Sequence, residues 1–340
     1  MAGFNEFVTA FSQSLGSSGY TIRHHAPNGT PVQVVFSDPI FQTPLIAIPD
    51  IHLSDAGPGD IFLSGGADKP KQLAAVLRAT LDLLNSHPTS TQAIQLGDWF
   101  DVWRTAGGDV RSTYFGPIQN AAVYKEILDL DAQIGLAHVI GNHDASFVRA
   151  LPDRRVQQPS LFRLGFWLGQ SVYAMHGHQT DIAPPVNAAS DQFFVAAATT
   201  LAEFIPGVST FEAYIDRFGT GNGIKEWLLS GFGLLRGDPP LQQRPLDPAT
   251  PPVGVQGSFV QREGRDNIAH VVSEVSNLPA SHGRAARLVI VGHSHVPCVA
   301  FSTASGPPVV IIDAGSWTYD QANILIAAED TAAVFDVVKS

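Results

Sequence analysis

The sequence predicts an α/β protein, and three observations carry that prediction. Short apolar runs of β-prone residues, each bounded by turn formers, recur along the chain and read as buried strands. Several are separated by segments with apolar residues three and four positions apart, the spacing of an amphipathic helix. Hydrophobic residues make up 44% of the 340 positions and charged residues only 15%. Ordinary chains carry about 25% charged residues, so charge-driven disorder is excluded and a large core is within reach.

The elements follow in order. Residues 1–20 (MAGFNEFVTAFSQSLGSSGY) predict a short amphipathic helix ending near Gly16. Residues 45–49 (LIAIP) form a strand running into Asp50, and residues 69–85 a helix with Leu73, Val76, Leu77, Leu81 and Leu84 on one stripe. Residues 93–96 (AIQL) run into Gly97 and Asp98, 121–130 are helical, and 137–140 (AHVI) run into Gly141 and Asn142. Residues 172–175 (VYAM) form a strand ending at His176. Helical patterns dominate from about 181 to 284, at 187–204, 211–218, 224–235 and 260–275, with a proline-rich linker at 237–257. Strands resume at 287–291, 309–312, 324–327 and 333–338, rich in Val and Ile with short turns, and predict a partly antiparallel sheet. The expected organisation is a leader helix and strand (1–40), a core in two pieces (41–182 and 285–340) and a helical insertion or cap (183–284).

Acidic residues number 31 and basic residues 20, a net charge of −11. That balance argues against a stable nucleic-acid partner or an anionic membrane surface. A single cysteine, Cys298, excludes an internal disulfide framework and a cysteine-based zinc cluster. No stretch reaches the roughly eighteen uninterrupted apolar residues of a membrane span, and the N-terminus lacks the basic start and apolar block of a secretory signal. A cytoplasmic location is the expectation.

The apolar runs end in metal-binding chemistry. They lead into Asp50-Ile51-His52, Gly97-Asp98-Trp99-Phe100-Asp101, Gly141-Asn142-His143-Asp144, His176-Gly177-His178 and Gly292-His293-Ser294-His295. Ligands of open α/β sheets collect at the carboxyl ends of strands, where each cluster falls. Carboxylate, amide oxygen and imidazole together suit divalent Mn, Fe or Zn. Asp50, His52, Asp98, Asn142, His176, His293 and His295 are too many donors for one octahedral ion that keeps an open position. Two ions accommodate them if a carboxylate bridges, and such a pair, about 3.5–4 Å apart, activates water and clamps a phosphoryl group. In D-x-H the alternation of a strand end places Asp50 and His52 on one side. Glycines before Asp98, Asn142 and His293 allow close backbone approach.

The order D-x-H, G-D-x-x-D, G-N-H-D, H-G-H, G-H-x-H, spanning Asp50 to His295, resembles the calcineurin-like metallophosphoesterases. The resemblance implies a four-layer α/β/β/α sandwich with mixed sheets. It implies two divalent cations, Mn foremost with Fe or Zn as alternatives, and hydrolysis of a phosphoester or pyrophosphate by metal-bound hydroxide. By position, Asp50, His52 and His295 hold the first metal, Asp98 bridges, and Asn142, His176 and His293 hold the second. His143 becomes the general acid or phosphate-stabilising group, with Asp101 orienting it.

Residues 96–103 (LGDWFDVW), the frame His176-Gly177-His178-Gln179-Thr180-Asp181 and the run Asp313-Ala314-Gly315-Ser316-Trp317 resemble more narrowly the UDP-2,3-diacylglucosamine diphosphatase branch. This implies a small phosphorylated substrate, a nucleotide-sugar or lipid-linked pyrophosphate in the narrower case. That branch carries Arg at the place of His143 and Asp at the place of His178. The protein phosphatases of the superfamily carry Arg where this chain has Val102. His178 competes with His176 for one coordination place and is otherwise substrate-facing. Arg149, with Arg154 and Arg155, is a candidate for an anionic substrate group. Asp144 and Asp313 are candidates to fix an imidazole tautomer. Two rival readings are an inactive scaffold kept as a binding module and a phosphodiesterase or nuclease of the same fold.

Overall fold

A computed structural model of the chain describes residues 3–54, 56–57, 60–87, 91–101, 121–139, 141, 143, 165–177, 254–257, 284–302 and 309–340. The predicted helices at 187–204, 211–218, 224–235 and 260–275 lie outside these residues, as do Asn142, Asp144, Arg149, Arg154, Arg155 and His178.

Three α-helices are described: α1 (Phe4–Gly16), α2 (Lys69–Ser86) and α3 (Lys125–Ile134). In chain order the first strands are β1 (Tyr20–His24), β2 (Gln33–Phe36), β3 (Leu45–Ile48), β4 (Gln92–Gln95), β5 (Ala137–His138), β6 (Phe166–Leu168) and β7 (Val172–Ala174). They are followed by β8 (Val255–Gly257), β9 (Leu288–Val291), β10 (Cys298–Ser302), β11 (Val309–Asp313), β12 (Asn323–Ala328) and β13 (Thr331–Lys339). These build two mixed sheets. The first has the order β5-β4-β3-β12-β13-β2-β8, with β1 also paired to β13; the second has the order β10-β11-β9-β7-β6.

Strand alternation sorts the core into layers. In β3, Ile46 and Ile48 pack with the helices, while Leu45 and Ala47 face the other sheet. In β12, Ile324 and Ile326 face the helices and Leu325 and Ala327 the other sheet. The second sheet answers with Val172, Ala174, Leu288, Ile290, Val310 and Ile312, while Tyr173, Val289, Val291 and Ile311 form a separate buried cluster on its far face. This is the period-2 pattern of strands covered on both faces. The described residues therefore supply helix, sheet and sheet; the expectation of a fourth layer bears on residues outside them.

Parallel pairing positions the site. β3 pairs parallel with β4, and β4 with β5, so the segments after Ile48, Gln95 and His138 leave at one edge of the first sheet. β9 pairs parallel with both β7 and β11, so the segments after Ala174, Val291 and Asp313 leave together from the second.

Several elements differ from the sequence pattern. On α2 the buried stripe is Leu73, Val76, Leu77, Thr80 and Leu83 rather than one ending at Leu84. Burial of Thr80 is tolerated because its hydroxyl donates to Val76 O at 2.8 Å. The helix predicted at 121–130 begins instead at Lys125 and runs to Ile134. Tyr124 just before it is fully buried, with its hydroxyl donating to Asp60, which fixes the entry to the helix. Residues 255–257, within the predicted linker, form β8 on the edge of β2. The leader's strand β1 lies against β13 from Tyr20↔Lys339 to His24↔Phe335, so it is hydrogen-bonded into the first sheet.

Candidate metal centre

The ends of β3 and β4 are stitched to each other beyond their ladder. The N–H groups of Ile51 and His52 both donate to Asp98 O, at 3.0 and 2.8 Å, and Asp101 N donates to Leu53 O at 2.8 Å. From the second sheet, Gly292 N donates to His176 O at 2.9 Å. The two sheets meet through Asp50, whose carbonyl accepts Trp317 N at 2.8 Å and whose carboxylate Oδ2 accepts His293 N at 2.7 Å. Close approach here demands glycine. A Cβ on Gly141 would lie 2.0 Å from Asp98 Oδ1, and one on Gly292 would lie 2.2 Å from Asp50 Oδ1.

These contacts gather three overlapping groups. The ligand atoms of Asp50, His52 and His295 lie within 4.8 Å of one another, as do those of Asp98, His176 and His293, and those of His52, Asp101 and His143. One oxygen joins the first two groups: Asp98 Oδ2 is 3.2 Å from His176 Nε2 and 3.5 Å from His52 Nε2. Asp98 Oδ1 is held aside by His143 N at 2.9 Å. Asp50, His52, Asp98, Asp101 and His176 are buried, whereas His293 and His295 are partly exposed, so the group opens on their side.

Hydrogen bonds fix the ring orientations. His52 Nδ1 donates to Asp101 Oδ2 at 3.1 Å and His176 Nδ1 donates to Leu96 O at 2.9 Å, which leaves each Nε2 turned toward Asp98. His143 Nδ1 lies 3.0 Å from Asp101 Oδ1, so one carboxylate spans two imidazoles. The dyad of His143 and Asp101 was the sequence reading; that Asp101 also serves His52 was not legible there. Asp313 accepts from the Ser294 hydroxyl and, at 3.0 Å, from Gly315 N. Leu96 O, the Asp101 carboxylate and the Thr318 hydroxyl each face a ring Nδ1 at the site. Thr318 Oγ1 lies 3.4 Å from His295 Nδ1, and its only sequence signal was its place beside the Asp313–Trp317 run.

Backbone strain concentrates on the same residues. His52 (φ 61°), Asp98 (φ 50°), His293 (φ 68°) and His295 (φ 57°) all adopt left-handed conformations. Such geometry costs of order 1–3 kcal/mol per residue and persists where surrounding structure imposes it.

Electrostatics suit cations. Burial pushes Asp50 up to about 6, with the neighbouring Asp98 adding to the shift and His176 opposing it. Burial also acts on Asp98 and Asp101, but nearby imidazoles outweigh it, His176 foremost at Asp98 and His143 at Asp101, and hold both well below the usual carboxylate range. Burial lowers His52 despite its bond to Asp101, which opposes the shift. Asp50 Oδ1 is buried and accepts no hydrogen bond. His52 Nε2 approaches His295 Nε2 to 3.2 Å, and His176 Nε2 approaches His293 Nδ1 to 3.2 Å. Imidazole nitrogens turned on carboxylate oxygens and on one another, beside an orphaned carboxylate oxygen, fit divalent cations.

No family model matches the chain, and no curated protein matches it. Among solved structures it is similar to a metallophosphoesterase from Sphaerobacter thermophilus, with 12% identity and a TM-score of 0.25 over 87% of this chain and 88% of that one.

Proposed function

We propose that the chain is a metal-dependent phosphoesterase working through two divalent cations. The observation that carries this reading is the placement of Asp98 Oδ2 between two histidine-carboxylate groups. Asp50, His52 and His295 would hold one cation, His176 and His293 the other with Asn142, and Asp98 both. When bound, such ions stabilise charge on a phosphoryl group and acidify water.

The chain's own residues then act on what enters. The open side at His293 and His295 admits an anion, and Val296, next in sequence to His295, is 49% exposed. His143 is buried, and Asp101 accepts its Nδ1–H and stabilises the imidazolium. That leaves Nε2 as the proton-bearing position that can hold a phosphoryl oxygen or protonate a leaving oxygen. The substrate we favour is small and phosphorylated, and nucleotide-sugar or lipid-linked pyrophosphates are the narrower case.

The test is hydrolysis by the Mn2+-loaded full chain of p-nitrophenyl phosphate, its bis ester and a nucleoside diphosphate sugar, each with and without chelator. Chelator-sensitive release from at least one substrate is expected. No release from any of them, in a chain shown to be loaded, overturns the proposal.

A further inference from the structure

We propose that Thr318, Ser316 and Gln321 form a directional relay that sets the tautomer of His295 and so presents its Nε2 to a cation. The inference deepens the proposed function and rests on it. His295 Nε2 lies 3.2 Å from both Asp50 Oδ2 and His52 Nε2, in the first group of candidate ligands. Its Nδ1 lies 3.4 Å from Thr318 Oγ1, Thr318 Oγ1 lies 2.8 Å from Ser316 Oγ, and Ser316 Oγ donates to Gln321 Oε1 at 3.3 Å. Ser316 and Thr318 are fully buried.

The polarity follows from the end of the chain. A hydroxyl has one proton to give, and an amide oxygen can only accept. Ser316 gives its proton to Gln321, so it must accept from Thr318, and it also faces Thr318 N at 3.4 Å. Thr318 has then spent its own proton and is left as an acceptor for Nδ1–H of His295. That ring state puts the free lone pair on Nε2. Asp50 Oδ2, which faces Nε2, favours the opposite tautomer, and the relay opposes it.

The relay is rigidly mounted. Ser316 bridges to Asp50, its N–H donates to Asn323 Oδ1 at 3.3 Å, and Asn323 Nδ2 donates to Asp336 Oδ1 at 2.9 Å. Lys69 Nζ holds Trp317 O at 3.1 Å and also Gln321 O. Thr318 and Ser316 are thus positioning residues: neither belongs to the candidate ligand groups, and each acts through His295.

Two measurements on the full-length protein test this. The first is Zn2+ affinity by chelator competition for wild type, Thr318→Val, Thr318→Ser and Ser316→Ala. The second is the ring 15N spectrum of histidine-labelled, metal-free protein, with the His295 signal assigned from a His295→Asn variant. Orienting partners of metal-binding imidazoles are typically worth about 10–100-fold in affinity. Thr318→Val is expected to lose that much, and Thr318→Ser to return to within threefold of wild type. Metal-free wild type should show the Nδ1–H tautomer at His295. Ser316→Ala frees the Thr318 proton and should shift the ring to Nε2–H. A wild-type Nε2–H ring, or Thr318→Val affinity within twofold of wild type, overturns the relay. Should Thr318→Val fail to fold, Ser316→Ala decides by its tautomer: an unshifted ring counts against the proposal. A wild type that binds no Zn2+ removes the proposed function itself, and the metal-free spectrum still judges the relay separately.

Discussion

Replacing Gly292 by alanine probes the meeting of the two sheets with a single methyl group. A Cβ there lies 2.2 Å from Asp50 Oδ1 and 3.2 Å from Asp50 Cγ, against ordinary contacts beginning near 3.4 Å. The carboxylate or the loop must retreat by about 1 Å, and a misplacement of that size near reacting groups costs about 100-fold in rate. Retreat also strains the bond from His293 N to Asp50 Oδ2, 2.7 Å long, so both groups of candidate ligands are disturbed. Overpacking a filled site costs about 1–3 kcal/mol of stability, which a chain of this size tolerates. The assay pairs Mn2+ affinity by chelator competition with turnover of whichever substrate the wild type hydrolyses, and urea unfolding confirms the fold. We expect weakened affinity and turnover reduced about 100-fold. A folded Gly292→Ala protein with affinity and turnover both within twofold of wild type refutes the close approach as a requirement of the site.

Three further outcomes follow from the structure. His143→Ala should lose about 100- to 10,000-fold in turnover while retaining metal content, read by elemental analysis; wild-type turnover removes His143 from the chemistry. Lys69 is buried, and burial pushes its ammonium down to about 8 from 10.5, with Asp320 partly opposing. Between those values the unfolded chain holds a proton that the folded chain has released, so stability rises with pH. The gain is at most about 3 kcal/mol, trimmed by the carbonyls of Trp317 and Gln321 that favour the charged form. Urea unfolding of wild type against Lys69→Met from pH 7.5 to 10 should show the wild type gaining; a flat difference contradicts this. Phe11 of α1 is fully buried with Leu15 against the helix-facing core, so Phe11→Ala should cost about 3–5 kcal/mol, and a loss under about 1 kcal/mol would show that α1 is not integral to the core.

The parts legible in the sequence were those where local pattern and chemistry coincide. β3, β9 and β11 are runs of apolar residues buried on both faces, and they advertise themselves as composition. The ligand candidates at their ends were legible because Asp and His gather there beside glycines whose close approach the structure displays at Gly141 and Gly292. The one strand expected within 1–40 had no bounds, because Tyr20–His24 mixes polar with apolar residues and Gln33–Phe36 spans only four positions; β1 and β2 both lie there, and both depend on the long β13 for partners. Nor did spacing reveal the left-handed backbone at His52, Asp98, His293 and His295, since nothing in the residue types demands it. The double use of Asp101 and the hydroxyls behind His295 are tertiary facts, brought together across 49 and 23 positions respectively.

Sharing of Asp98 by two cations, as proposed, is read out most directly by metal stoichiometry. Protein stripped by chelator, reloaded with Mn2+ and desalted should retain two ions per wild-type chain by elemental analysis. Asp98→Ala, lacking the oxygen shared by both groups, should retain neither stably. A wild type holding one ion or none, or an Asp98→Ala chain that keeps both, contradicts the account.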